Sequence, residues 1–179
     1  HEIYTHHVAF RNDFSRCDII YSVKPMIHSI LYNLISNSIK YRSLDQPPVI
    51  EISAEEYADH FVIIVKDNGL GIDLTAHRNN LFRLYKRFHR HVEGRGLGLY
   101  LVKLQCEALG GSVNVESELN KFTQFTLLLP KPENLQMQLL LDETYAKIIF
   151  DATTNSTGLT WFGPVTSEQY RYVFSKALE

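Results

Sequence analysis

The chain has 179 residues, 45% of them hydrophobic and 21% charged, with a formal net charge of −2. This length is enough to bury one good hydrophobic core. The charge balance provides no positive field of the kind that recruits nucleic acid or an acidic membrane surface. Its apolar runs, such as "FVIIV", fall well short of the ~20 residues that a membrane helix needs. We therefore expect a soluble globular protein with no nucleic-acid partner and no membrane contact by this segment.

The chain has two cysteines, Cys17 and Cys106. They lie far apart and show no CxxC or Cys/His ligand spacing, which favours two buried thiols in a reducing compartment over a disulfide or a zinc site. No signal-peptide pattern is present, so the expected location is cytoplasmic, while a longer full-length protein can be membrane-anchored. The histidine-rich opening "HEIYTHHV" is interpreted as a leader or a remnant of a longer chain, because a metal site there needs a further ligand.

The first elements lie before residue 41. "RNDFS" and "DIIYSV" predict a short strand and a connection, because aromatic and β-branched residues stand between turn formers. Pro25 suits the first turn of a helix, and the apolar residues that follow recur at intervals of three and four, which predicts a helix to Tyr41. These apolar residues are Ile27, Ile30, Leu31, Leu34, Ile35 and Ile39.

The predicted helix has a second, polar face. At ~100° per residue, Asn33, Asn37 and Lys40 share one stripe, with Tyr41 just beyond it. The alternative interpretation of this stripe is an ordinary solvent-exposed helix face, but such faces usually consist of Glu and Lys. Two asparagines beside apolar residues therefore indicate a candidate binding stripe.

Two strands and a lid follow. "VIEIS" and "FVIIVK" read as strands joined across "AEEYADH", and the second runs directly into "DNGLGID". The segment 73–93 contains "LFRLYKRFHRH", which alternates aromatic and basic residues. Such a run also suits nucleic-acid stacking, but it is short, and we interpret it as a half-buried helix or a lid.

The last part of the predicted core is a helix and two strands. The helical period runs from Leu97 to Leu109, and Gly110 and Gly111 provide its C-terminal stop. "SVNVES" and "TQFTLLLP" then alternate as strands. The order of elements predicts an α/β (α+β) sandwich, in which helices cover one face of a mixed, mostly antiparallel sheet.

Two stretches are dense in glycine: "DNGLGI" from Asp67 and "GRGLGLYLVK" from Gly94. Glycine is used where the backbone takes a positive φ or lies too close to other atoms for a Cβ. With "NLISNSIKY" and "LFRLYKRFHRH", these stretches resemble the N, G1, F and G2 boxes of the ATP-binding domain of histidine kinases, the Bergerat fold of the GHKL superfamily. The resemblance covers roughly Asp13 to Pro130. A P-loop, GxxxxGK[ST], is absent from the sequence, as this family implies.

The resemblance implies an adenine site. Asp67 would accept a hydrogen bond from the exocyclic amine of adenine, where guanine presents a carbonyl. Gly69 and Gly71 would let the backbone lie against the purine edge. Tyr41 would stack on the ring, and Ile72 would pack near it.

It also implies a triphosphate and metal site. Asn37 would bind Mg²⁺ through its amide oxygen, a hard ligand for a hard ion. Asn33 and Lys40 would complete a phosphate-facing stripe, with Arg87 as an added cation. The lid hinge would offer backbone N–H groups to phosphate oxygens. The remaining nucleotide-binding positions implied are Gly94, Gly96, Leu97, Gly98 and Thr123, the last belonging to a Thr-x-Phe ending in which Phe122 stands where the family has glycine.

One position separates the subfamilies. In the ATP-hydrolysing members of the superfamily, a Glu one turn before the metal-binding Asn polarises the attacking water. In this chain Asn33 occupies that position. Its amide takes no proton at neutral pH. We therefore predict a histidine-kinase catalytic domain that binds Mg·ATP and donates the γ-phosphoryl group to a histidine. The alternatives are a serine kinase or ATPase of the same superfamily and a degenerate nucleotide pocket that serves as an interaction module.

The phosphoacceptor is expected on a separate chain segment. Only 32 residues precede Asn33, and "HEIYTHH" lacks both the following proline and the room for a helical hairpin. The implied partners are the histidine-bearing dimerisation domain of the same full-length kinase and a downstream response regulator.

Past Pro130 the predicted domain organisation changes. We expect the catalytic domain at 1–130, a linker at 131–144 and a ββα extension at 145–179. "AKIIFD" and "TGLTWF" predict strands joined by a turn, and the helical period from Thr166 predicts a helix. This unit either packs on the kinase domain or opens another domain, and it faintly resembles the start of a STAS-like domain.

Overall fold

The computed structural model describes residues 8–17, 19–83, 96–131, 145–150 and 159–162. In chain order the elements are β1 (Ala9–Arg16), β2 (Ile19–Val23), α1 (Lys24–Lys40), β3 (Val49–Glu56), β4 (His60–Asp67), α2 (Leu74–His77), a 3₁₀ turn (Arg78–Asn80), α3 (Gly98–Ala108), β5 (Ser112–Glu118), β6 (Phe122–Pro130), β7 (Tyr145–Phe150) and β8 (Leu159–Phe162).

Five strands form the main sheet, in the order β1-β3-β4-β6-β5. β1 runs parallel to β3, and the other neighbours are antiparallel. Along β4 buried and half-buried residues alternate strictly, as expected for a strand with one face in a core. The mixed, mostly antiparallel sheet with helices on one face is therefore confirmed.

The helix α1 begins with proline in its first turn and carries no acidic residue there. Its apolar stripe is the one predicted from spacing, and Ile27, Ile30, Leu31 and Leu34 are fully buried. The helix ends where the Tyr41 N–H donates to the Asn37 carbonyl oxygen at 2.8 Å. α1 and α3 pack on the inner face of the sheet, where they share one hydrophobic cluster with Ile63, Leu127 and other strand residues. This packing leaves the polar face of α1 next to the carboxyl end of β4.

The stretch before Pro25 differs from the prediction of a short strand and a connection. It forms two strands that join different sheets, β1 in the main sheet and β2 in a second sheet of order β2-β7-β8. The register of β1 shifts between Asp13 and Arg16, and the Cys17 N–H donates to the Phe14 carbonyl at 3.2 Å. This turn separates β1 from β2. The residue types in the stretch did not reveal the turn.

The strands β7 and β8 coincide with the two strands predicted in the extension, and they pair antiparallel. β7 also pairs antiparallel with β2, from Ile19 opposite Ile149 to Val23 opposite Tyr145. The histidine-rich opening, the linker and the helix predicted from Thr166 lie outside the described residues.

Both cysteines are buried and free, as predicted. Among the described residues, the helices are too short or too polar to cross a membrane, and no group of three or more His, Cys, Asp or Glu side chains is arranged to hold a metal ion.

Candidate functional site

A cleft of about 330 Å³ opens between α1, the end of β4, the start of α3 and β6. Ligand pockets in proteins typically range from ~300 to 1,000 Å³. The lining residues are Asn33, Ser36, Asn37, Lys40, Tyr41, Asp67, Gly71, Ile72, Leu81, Gly96, Leu97, Gly98, Leu99, Thr123 and Phe125. The polar stripe of α1 and both glycine-rich stretches thus meet at one cavity.

Along the wall formed by α1, the side chains of Asn33, Asn37 and Lys40 lie on successive turns. The Asn33 Nδ2 donates to the Ser29 carbonyl oxygen at 2.8 Å, which fixes the orientation of that amide. Lys40 Nζ lies 5.4 Å from the centre of the Tyr41 ring. This wall presents amide groups and one cation, and such groups suit an anionic ligand and a hard metal ion.

The cleft also contains a buried carboxylate, that of Asp67. Asp67 is only 9% exposed. Its Oδ2 accepts from Ser38 Oγ at 2.7 Å, and its Oδ1 accepts from the Gly69 N–H at 2.9 Å. Burial raises the pKa of the Asp67 carboxyl above its usual value, and hydrogen bonds from Ser38 and from the backbones of Gly69 and Thr123 oppose that rise. The Asp67 carboxylate is therefore a hydrogen-bond acceptor in the lining of the cleft that its neighbours hold in place.

The two glycines after Asp67 have intramolecular reasons for lacking a side chain. A Cβ on Gly69 would lie 2.5 Å from the Tyr41 carbonyl oxygen, and the Leu70 N–H donates to the same oxygen at 2.9 Å. Gly71 has φ +64, and a Cβ there would collide with the Glu118 carbonyl. Gly71 lines the cleft, and Gly69 does not. Their predicted contact with a purine edge stays a prediction.

The loop after Asp67 is fastened to the turn between β5 and β6. The Asn120 N–H donates to the Leu70 carbonyl at 2.7 Å, and the Ile72 N–H donates to Ser117 Oγ at 2.8 Å. Asn120 takes the left-handed conformation, φ 60, that this turn requires. Phe122, which stands where the resembled family has glycine, is the first residue of β6. The residue of this turn with a left-handed backbone is Asn120, two positions before Phe122.

The phosphate-facing end predicted from the second glycine-rich stretch coincides with the start of α3. Its N-cap residue, Leu97, makes no side-chain hydrogen bond to the helix, and Gly96 has φ +67. A Cβ on Gly98 would lie 3.0 Å from Asn33 Oδ1, so the helix start lies directly beside the polar wall of α1. The first N–H groups of a helix have no partner within it and carry partial positive charge, which makes this end suited to an anion.

Most of the site residues predicted from sequence lie together at this cleft. Gly69 does not line the cleft, and Arg87 and Gly94 lie outside the described residues. Sequence reasoning missed Ser38, which contacts Asp67, and four residues of the lining, Ser36, Leu81, Leu99 and Phe125. Ser38 carried a signal, because it is a polar residue four positions after Leu34 on the apolar stripe of the helix. Leu81, 2% exposed, carried none beyond its hydrophobicity.

Comparison with known proteins places this cleft in a family. Residues 22–133 match the model of the family described as histidine kinase-, DNA gyrase B- and HSP90-like ATPase. The sensor protein SrrB of Staphylococcus aureus is 39% identical over 108 residues, which are 58% of this chain and 18% of that protein. The sensor protein RprX of Bacteroides fragilis is 30% identical over 123 residues, 65% of this chain and 23% of that protein. The chain thus spans less than a quarter of the length of these curated relatives.

Solved structures agree on the fold. The mycobacterial sensor histidine kinase MprB is similar with a TM-score of 0.59 at 19% identity, covering 73% of this chain and 90% of that one. The catalytic domain of histidine kinase ThkA gives a TM-score of 0.61 at 22% identity, covering 73% and 83%. The predicted resemblance to the ATP-binding domain of histidine kinases is confirmed. More than half of the chain matches the family model, and the chain therefore belongs to the histidine kinase-, DNA gyrase B- and HSP90-like ATPase family.

Proposed function

We propose that this chain is the catalytic module of a sensor histidine kinase, which binds Mg·ATP in the cleft and passes the γ-phosphoryl group to a histidine on a separate acceptor helix. The observation that carries the proposal is that two different polar features line one cleft. One is a buried carboxylate, Asp67, and the other is the start of α3, which lies beside Asn33 and Asn37. A ligand with an amine-bearing base and an anionic tail matches both features.

At the carboxylate end, Asp67 accepts hydrogen bonds and has none to give while it is ionised. Adenine presents an amine to such an acceptor, and guanine presents a carbonyl that would face it lone pair to lone pair. Tyr41 and Ile72 supply apolar surface to the ring. Gly69 allows the loop to approach the Tyr41 carbonyl, and Gly71 allows it to approach the β5–β6 turn. Thr123 also lines the cleft, and its backbone acts against the rise in the pKa of Asp67.

For the phosphates we propose the N–H groups at the start of α3, Lys40 and the amides of Asn33 and Asn37, all of which line the cleft. The donor set fits Mg²⁺, because amide oxygens are hard ligands and the ion fills its remaining positions with water and phosphate oxygens. Asn37 is the proposed protein ligand. The ion would neutralise charge on the triphosphate, while Gly96, Leu97 and Gly98 bring α3 to the phosphates. Arg87 and Gly94 are proposed as further phosphate contacts.

Catalysis by such a site consists of positioning and charge neutralisation, as phosphoryl transfer generally requires. Asn33 would orient phosphate and metal water without removing a proton, because an amide is no base at neutral pH. Its side chain is also held by the Ser29 carbonyl. We therefore propose that the nucleophile is supplied by a separate acceptor histidine.

The proposed partners follow from that requirement. They are a dimerisation domain that carries the acceptor histidine and a response regulator that takes the phosphoryl group from it. We also propose that the chain is divided into a catalytic domain at 1–130, a linker at 131–144 and an extension at 145–179. The ladder between β2 and β7 supports the alternative in which the extension packs on the catalytic domain.

The test is incubation with γ-labelled ATP, with and without a separate protein that carries dimerisation helices and their histidine. The chain alone should release phosphate slowly and leave itself unlabelled. The added protein should become labelled on histidine, with the acid lability and base stability of a phosphoramidate. Phosphate release by the chain alone at ~1 s⁻¹ or faster, or its own labelling on Ser or Thr, would assign it instead to the hydrolase or serine-kinase branch.

A further inference from the structure

A buried hydroxyl stands directly behind the carboxylate of the cleft. Ser38 is 5% exposed, and it does not line the cavity. Its Oγ lies 2.7 Å from Asp67 Oδ2 and 3.2 Å from the Leu34 carbonyl oxygen. A hydroxyl has one hydrogen, so it donates to one of these acceptors at a time, and the shorter distance favours the carboxylate.

The hydrogen bonds around Asp67 leave little freedom. The Ser38 hydroxyl donates to Oδ2 and the Gly69 N–H donates to Oδ1. A carboxylate offers about four acceptor sites, so these two hydrogen bonds fix its orientation and leave acceptor capacity for a ligand in the cleft. Of the two donors Ser38 alone uses a side chain, and it alone can be removed without altering the backbone.

We propose that Ser38 is a positioning residue for base selection, which holds the Asp67 carboxylate as an acceptor so that the cleft takes a purine bearing an exocyclic amine and rejects one bearing a carbonyl. This inference rests on the proposed adenine contact of Asp67. Ser38 itself touches no ligand and acts only through the carboxylate.

The physical reason is the protonation state of a buried acid. Burial raises the pKa of Asp67, and the Ser38 hydrogen bond is the largest effect that lowers it again. A protonated carboxyl group presents an O–H donor, and that donor pairs with the carbonyl of a 6-oxopurine. Without the Ser38 hydroxyl, the carboxyl group would be both less firmly oriented and more readily protonated, and discrimination between the two bases would fall.

The experiment measures the affinities of ADP and GDP for the full chain by calorimetry in four versions. These are the wild type, Ser38→Ala, Ser38→Thr and the control Ser29→Ala. Ser29 is on the same helix, and only its backbone carbonyl takes part in the hydrogen bond to Asn33, so its hydroxyl is dispensable.

In Ser38→Ala the ratio of ADP to GDP affinity should fall about tenfold, the loss expected for one hydrogen bond to a charged group. Ser38→Thr keeps a hydroxyl on the same carbon and should keep the wild-type ratio, as should Ser29→Ala. An unchanged ratio in Ser38→Ala, or an equal fall in Ser38→Thr, would overturn the role of the hydroxyl while leaving the proposed function in place. If the wild type binds neither nucleotide, the proposed function itself fails.

Discussion

Gly71 and the carbonyl of Glu118 approach so closely that no side chain fits between them. The glycine also has φ +64, a conformation that costs other residues about 1–2 kcal/mol. The contact fastens the loop after Asp67 to the β5–β6 turn, next to the hydrogen bond from Asn120 to Leu70. Two penalties therefore oppose substitution of Gly71, the positive φ and the collision with the Glu118 carbonyl. Gly110 shares the positive φ without such a collision, so comparison with it separates the two.

Gly71→Ala should lower the free energy of unfolding by more than Gly110→Ala does. Gly110 also has a positive φ, +75, but a Cβ there would meet Pro130 Cγ at 3.4 Å, an ordinary contact. The difference between the variants isolates the collision with Glu118, and we expect about 1–3 kcal/mol. Chemical denaturation of both variants measures it. Equal losses would mean that the turn moves away at no cost.

Asp67→Asn should abolish adenine-nucleotide binding and leave the fold intact. The amide Oδ1 can accept from the Gly69 N–H, and its Nδ2 can donate to Ser38 Oγ, whose hydrogen then turns to the Leu34 carbonyl 3.2 Å away. Both of these hydrogen bonds keep a donor and an acceptor, but the acceptor for the adenine amine is lost. Calorimetry with ATP checks binding, and unchanged ATP affinity would remove Asp67 from the site.

The same variant has a predicted pH dependence. Burial raises the pKa of Asp67 in the folded chain above that in the unfolded chain, so its ionisation disfavours the folded state at pH values above the folded-state pKa. This penalty disappears as pH falls below the unfolded-state pKa, and Asn never carries it. The stability of Asp67→Asn relative to wild type should therefore be greater at about pH 7 than at about pH 4, as measured by denaturation at each pH. A pH-independent difference would contradict the raised pKa.

Residue spacing alone predicted the parts of the site that depend on one element, whereas the meeting of several elements at one site was predicted only through the family resemblance. The stripe of Asn33, Asn37 and Lys40 follows from helical geometry alone. The role of Ser38 requires knowing that Asp67 lies 2.7 Å away, which depends on how α1 packs on β4. The pairing of β2 with β7 was equally hidden, because strand pattern does not specify a partner.

Asn37→Ala should weaken the binding of Mg·ATP more than that of metal-free ATP. If the Asn37 amide oxygen is a ligand of the ion, its removal costs about tenfold in affinity for the complex, as for one hydrogen bond to a charged group. Metal-free nucleotide lacks that contact. Titrations with and without Mg²⁺ give both values, and equal losses would show that Asn37 contacts nucleotide or supports the helix and does not bind metal.

Asn33→Glu should raise ATP hydrolysis by the isolated chain. The Asn33 side chain lies beside the start of α3, 3.0 Å from where a Cβ on Gly98 would lie, and the helix N-terminus favours a carboxylate there. A carboxylate is a base where an amide is none, and a positioned general base typically contributes ~10²-fold or more. The matched control is Asn33→Gln, which has the length of Glu without its basicity. Phosphate release should rise in the Glu variant alone. A similar rise in both variants would assign the effect to side-chain length, and no rise in a Glu variant that still binds ATP would place Asn33 away from the attacking water.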